Sequence, residues 1–221
     1  MSRTSARKDA TMDRRKKRSA AKKASNQGRE RPHSEKILIF DPTGGLSGDM
    51  ILGSLFALGA RPAEVAAEVS ELPELERFRI VFGRVKRHGI AAVRARVVCP
   101  HHAHARDLKR ILSMIRRSRL SKKAKELAEK TFLILGEAEG RIHGVPLDKV
   151  HFHEVGAVDS IVDIVGTVVA LEKLGYPKLY HRPFTLGSGM IDIAHGKLPA
   201  PAPATLEVLR GRTVRMSEQE G

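Results

Sequence analysis

An acid stands inside the most apolar helix-length run of this chain. From Ala157 to Leu174 the residues are mostly Val, Ile, Leu and Ala, with Gly175 at the end and Pro177 just beyond. That pattern predicts a long helix stopped by a glycine. Asp163 lies within it, flanked by Ile161, Val162, Ile164 and Val165. Such a run reads as a buried helix. A buried carboxylate is costly unless it is paired or bound to a metal. Any fold of this chain must therefore cover the helix and still provide for Asp163.

The residues just upstream add donors. Between His151 and Asp163 the chain holds His151, His153, Glu154, Asp159 and Asp163, with small or apolar residues filling most of the rest. Histidines two apart point the same way from an extended strand. Aspartates four apart share one helix face. A strand delivering His151 and His153 to the mouth of a helix carrying Asp159 and Asp163 makes a mixed nitrogen and oxygen pocket, and that set suits a first-row divalent metal. The structural alternative has Asp159 capping the helix and one histidine packed in the core.

A second feature lies near the start of the folded part. Lys36–Phe40 reads as a short buried strand, Asp41–Asp49 as a Gly-rich turn, and Met50–Leu58 as an apolar helix ending at Gly59. Strand, glycine loop and helix in that order form an anion cradle built from loop N–H groups and a helix N-terminus. Gly44, Gly45, Ser47 and Gly48, with Asp41, are the candidate binding residues, and Asp49 is a candidate catalytic residue. No Gly-Lys-Ser/Thr follows, so this is not a Walker A loop. Asp41 and Asp49 would repel a bare phosphate and suit a cation or a ribose hydroxyl better. A tight turn with helix capping is the alternative.

Elsewhere strands and helices alternate. Arg61–Leu72 reads as a helix with Pro62 in its first turn. Phe78–Val85 and Ala91–Cys99 form a hairpin turning near His88-Gly89. His101, His102 and His104 form a short exposed tract able to capture transition metals loosely. Asp107–Ser118 and Ser121–His143 read as amphipathic helices, with Glu139 and His143 as a surface pair. Leu179–Thr185 and Met190–Ile193 are strands. The run from His195 to Pro203 reads as a rigid loop opening a helix over 204–209, and Thr213–Met216 starts another strand. The expected class is α/β (or α+β), a mixed sheet flanked by helices.

Composition narrows the partners. Residues 1–35 carry twelve Lys/Arg against four Asp/Glu, more than half of the net charge of +15. That segment has almost no aliphatic residues, so a disordered basic tail is expected ahead of a domain at 36–221. Aromatics make up 4% with no Trp, so base-stacking surfaces are not indicated and nucleic acid is not the expected partner. The single Cys99 rules out an intrachain disulfide framework and fits a cytoplasmic setting. No apolar stretch approaches the ~20 residues of a membrane span.

Four segments together carry a resemblance: DPTGGLSGDMILG at 41–53, the histidine linker at 101–104, VHFHEVGAVDSIVDIVG at 150–166 and AHGKLPAPAPATLEVLRG at 194–211. From about Lys36 onwards the chain resembles the N-terminal half of the nickel insertion family that completes the nickel-pincer nucleotide cofactor, the pyridinium-3,5-bisthiocarboxylic acid mononucleotide nickel chelatases. The resemblance implies insertion of Ni(II) into that mononucleotide with formation of a carbon–nickel bond. It also implies CTP hydrolysis with Mn(II) or Mg(II), and a product used by lactate racemase-type enzymes. Residues 1–35 have no counterpart in the family pattern, and the histidine tract is shorter than in some members. The family's C-terminal half, which binds CTP and forms oligomers, follows a Thr-Pro-Thr-Gly segment absent here. The expected partners are the pincer precursor, a separate C-terminal-half polypeptide and the apo-racemase.

Residue chemistry supplies roles within that frame. His151, His153, Glu154, Asp159 and Asp163 are hard, exchangeable donors, suited to an ion that must move on to sulfur. His195 suits the proton lost when the ring carbon is metallated. Two other readings are a nickel-binding chaperone or storage module without catalysis, and a metal-dependent phosphohydrolase.

Overall fold

The computed structural model describes residues 36–99, 106–152, 155–193 and 196–220. The basic segment 1–35, the histidine tract 101–104, His153, Glu154 and His195 lie outside the described residues. The elements run β1 (Ile37–Phe40), α1 (Gly48–Ala57), α2 (Pro62–Val69), β2 (Arg79–Arg87), β3 (Ile90–Val98), α3 (Leu108–Arg117) and α4 (Lys122–His143). A 3-10 turn (Leu147–Lys149) follows. Then come α5 (Val158–Lys173), β4 (Lys178–His181), β5 (Phe184–Ser188), β6 (Met190–Ile193), β7 (Gly196–Pro199), α6 (Pro203–Val208) and β8 (Val214–Glu220).

The apolar run of 157–174 becomes α5, and it is the axle of the core. Nine of its residues are buried, on all sides of the helix. It packs against α1, α2, α4 and β3. Leu52 and Leu55 of α1, Val65 and Val69 of α2 and Phe132 of α4 are fully buried with Ile161, Val162 and Val165 of α5. Each such side chain contributes about 1.5–3 kcal/mol on burial. No helix among the described residues is long and apolar enough to cross a membrane.

Local signals set the element ends. Asp107 caps α3 by accepting from the Arg110 N–H at 2.7 Å, and Ser121 caps α4 by accepting from Ala124 at 3.1 Å. β2 and β3 pair in register from Arg79↔Val98 to Arg87↔Ile90. Their turn is His88-Gly89, with φ of 47° and 81°, the two left-handed positions of a two-residue hairpin.

The class is α/β, with parallel and antiparallel pairs in four two-stranded ladders: β1–β4, β2–β3, β5–β8 and β6–β7. Two expectations shift. The strand expected over 179–185 divides into β4 and β5, because Pro183 has no N–H to donate and the halves pair with different partners. The rigid loop expected from His195 contains a strand: Gly196–Pro199 pairs antiparallel with Met190–Ile193. Pro199 is tolerated there because it ends an edge strand.

Parallel pairing of β1 with β4 sets their C-terminal ends together, where ligands of open α/β sheets bind. There Asp41 meets Arg182, with 3.4 Å between Oδ2 and Nε.

The chain leading into α5 is tied down from the other side. Leu108 N–H donates to the Val150 carbonyl at 3.4 Å, His151 bridges Asp107, and Arg106 N–H donates to the Gly156 carbonyl at 3.3 Å. Of the strand expected through 151–153, the described residues show an antiparallel bridge at His151. The Arg106 side chain is only 3% exposed; its guanidinium donates to the Glu74 carbonyl at 3.1 Å and pairs with the Glu76 carboxylate. A methyl group at Gly156 would stand 2.5 Å from both the Arg106 nitrogen and carbonyl oxygen. Backbone cannot swing aside as a flexible side chain can. Gly156→Ala is therefore expected to cost about 1–3 kcal/mol, read as a lower urea midpoint. Gly44→Ala, with nothing within 4 Å of the added carbon, should move it far less.

Candidate functional site

The glycine loop follows β1 and feeds α1. Gly45 N–H donates to the Pro42 carbonyl at 3.2 Å, closing a tight turn that Gly45 enters with φ of 87°. Asp41 accepts from the Thr43 hydroxyl at 2.6 Å and faces Arg182. Ser47 stands at the N-cap position of α1 without capping it, since its hydroxyl donates instead to the Asp49 carboxylate. The tight-turn alternative is realised in the backbone; the capping alternative is not.

What the loop reaches is Asp163. A Cβ on Gly48 would fall 2.5 Å from both Cβ and Oδ2 of Asp163. Only glycine lets α1 begin so close to that carboxyl. The other oxygen, Oδ1, is buried with no hydrogen-bond partner among the described residues. Burial first, then the charges of Asp49 and Asp159, push the Asp163 carboxyl up to about 7 from the usual 3.8. Asp159 occupies the first turn of α5, where its carboxylate accepts from the Ser160 N–H at 2.8 Å. Asp49 occupies the first turn of α1. Two helix N-termini thus bring three carboxylates into one field.

That arrangement attracts a cation. Three acids on two elements repel one another, and an orphaned buried carboxyl oxygen has no protein group to satisfy it. At the glycine loop a carboxyl group facing Gly48 favours a cation over a bare phosphate. Among the described residues, no group of three or more His, Cys, Asp or Glu side chains stands ready to hold a metal ion. His151 is exposed and spans to Asp107. Glu139 and His143 pair with each other at 3.3 Å, as a surface pair should.

Sequence reasoning passed over two residues here. Cys99, at the end of β3, sits beside the N–H of Asp159. Burial and then the Asp159 charge push its thiol up. Arg106 is the buried cation that fixes the approach to α5. Each touches residues 30 or more positions away, and no local pattern marks such a contact. A lone arginine two positions past the histidine tract was the only available signal for Arg106.

The sequence profile of the nickel insertion protein family matches residues 38–221. The chain is 43% identical over 176 residues to the pyridinium-3,5-bisthiocarboxylic acid mononucleotide nickel insertion protein of Staphylococcus epidermidis, covering 80% of this chain and 44% of that one. It is 43% identical over 187 residues to the protein of the same name from Geobacillus kaustophilus, covering 80% of this chain and 45% of that one. The chain therefore spans less than half the length of these relatives. No solved structure matches it.

The raised Asp163 carboxyl has a signed consequence for the metal-free chain. Between about pH 4 and pH 7 the folded state holds a proton that the unfolded state has lost. Stability therefore falls as pH rises through that window and levels off above it. Asp163→Asn removes the titrating group. Urea unfolding across this range should show the variant gaining on the wild type as pH rises. A difference independent of pH would exclude burial of an ionisable Asp163.

Proposed function

The chain belongs to the nickel insertion protein family, and we propose that it supplies the nickel-handling portion of a protein that inserts Ni(II) into pyridinium-3,5-bisthiocarboxylic acid mononucleotide. The observation that carries this reading is the half-buried Asp163 carboxyl, its buried Oδ1 unpartnered among the described residues, beside Gly48 and in the field of Asp49 and Asp159. Nickel is the cargo. Asp163 and Asp159 hold it through oxygen, with His153 and Glu154 from the turn before α5 and His151 completing or orienting the set. These donors are harder than the thiocarboxylates, so the ion passes down a gradient of softness to the precursor. Asp49 draws the cation into the field, and Asp41 with the 44–48 loop lines the approach of the ion to it.

Metallation of the ring carbon replaces a C–H bond by a C–Ni bond, and His195 takes the proton. CTP with Mn(II) or Mg(II) acts through the C-terminal half, in an oligomer, and the finished cofactor goes to a lactate racemase-type enzyme in the cytoplasm.

Nickel titration tests the site. His153→Ala and Asp163→Ala should each weaken Ni(II) binding by at least about tenfold; unchanged affinity in both would remove the assignment. Incubating nickel-loaded chain with the bisthiocarboxylate precursor, CTP and a family C-terminal half should yield the nickel–carbon adduct by mass spectrometry. A storage module would bind the ion and leave the precursor unaltered.

A further inference from the structure

A cavity of about 600 Å³ opens where the end of α2 meets the open end of the β2–β3 hairpin. That volume suits a ligand of nucleotide size. Leu75, Phe78 and Val98 give it an apolar wall, and Arg77 and Arg79 line it as well. Both arginines are exposed, and neither makes an ion pair among the described residues, whereas Arg61, Arg106, Arg110, Arg116 and Arg117 all do. Glu76, the acid on the cavity wall, is already engaged by Arg106. The open charge of the cavity is therefore cationic. Cys99 lines it too, and the Cys99 thiol sits beside the N–H of Asp159. One end of the cavity thus borders the acid cluster, and the other presents two uncommitted guanidinium groups.

We propose that this cavity seats the pyridinium mononucleotide, with Arg77 and Arg79 on its phosphate and its ring against the apolar wall, so that the sulfur-bearing end faces Asp159. The assignment rests on the nickel-insertion reading for the identity of the ligand. Arginine is the side chain suited to a phosphate dianion, through paired N–H donors. A cationic pyridinium ring gains from the face of Phe78. The layout also separates charges sensibly: the phosphate lies at the basic end, and the nickel-accepting groups lie at the acidic end where the ion waits.

The test uses the 221-residue chain and nicotinic acid mononucleotide as the probe, followed by calorimetry and by protection of Cys99 from iodoacetamide. The wild type should bind the probe and slow Cys99 alkylation. The double variant Arg77→Gln/Arg79→Gln should bind it about tenfold more weakly while keeping its Ni(II) affinity. Nicotinic acid riboside, which lacks the phosphate, should bind both proteins equally weakly. No binding of the mononucleotide, or equal binding by wild type and double variant, overturns the proposal; so does binding that leaves Cys99 unprotected. Nickel affinity separates the two readings. Loss of the probe through the arginine pair in a chain that binds no nickel would sink the metal reading and leave the cavity standing. Nickel binding sensitive to Asp163, with the probe indifferent to the arginines, would do the reverse.

Discussion

Burying one carboxyl group in the central helix is the constraint around which the rest is arranged. α5 must be apolar over most of its surface to organise α1, α2, α4 and β3, yet it carries Asp163 at a point where no side chain among the described residues answers one of its oxygens. A fold selected for stability alone would place an apolar residue there. Keeping the acid keeps a local strain whose natural relief is a positive ion. Functional sites store such strain, and the surroundings must be strong enough to hold it.

The surroundings do this from two directions. On one side the glycine loop ends in Gly48, whose missing side chain leaves room for the carboxyl. On the other, Arg106 and Asp107 stitch the 150–156 segment in place through backbone bonds and a buried guanidinium. The two approaches meet at the N-termini of α1 and α5, where helix dipoles favour negative charge and so lighten the cost of crowding acids together. The placement at the C-terminal end of parallel β1 and β4 follows the ordinary logic of open α/β sheets.

Much of this was legible in the order of residues, and what was not has a common cause. The α5 run, its stop at Gly175, the His88-Gly89 turn and the Ser121 cap are all written within a few positions, and local rules find them. The acid in the apolar run also announced itself, because burial and charge conflict within one helical turn. The contact of Gly48 with Asp163 joins residues far apart in sequence, and the same holds for Cys99 with Asp159 and Arg106 with Gly156, which are 50 positions apart. Only packing creates those. The loop expected after His195 failed for a related reason: its glycine and prolines read as loop signals, and pairing with Met190–Ile193 overrode them. His153, Glu154 and His195 rest on residue chemistry alone.

A carboxyl that ionises near pH 7 behaves as an exchanger. On the proposed nickel reading, a proton is close at hand in neutral solution to replace a divalent ion leaving Asp163. The vacated cluster then relaxes toward two negative charges in place of three, and its pull on the departing ion drops at the moment of departure. On that reading protonation discourages recapture of the ion.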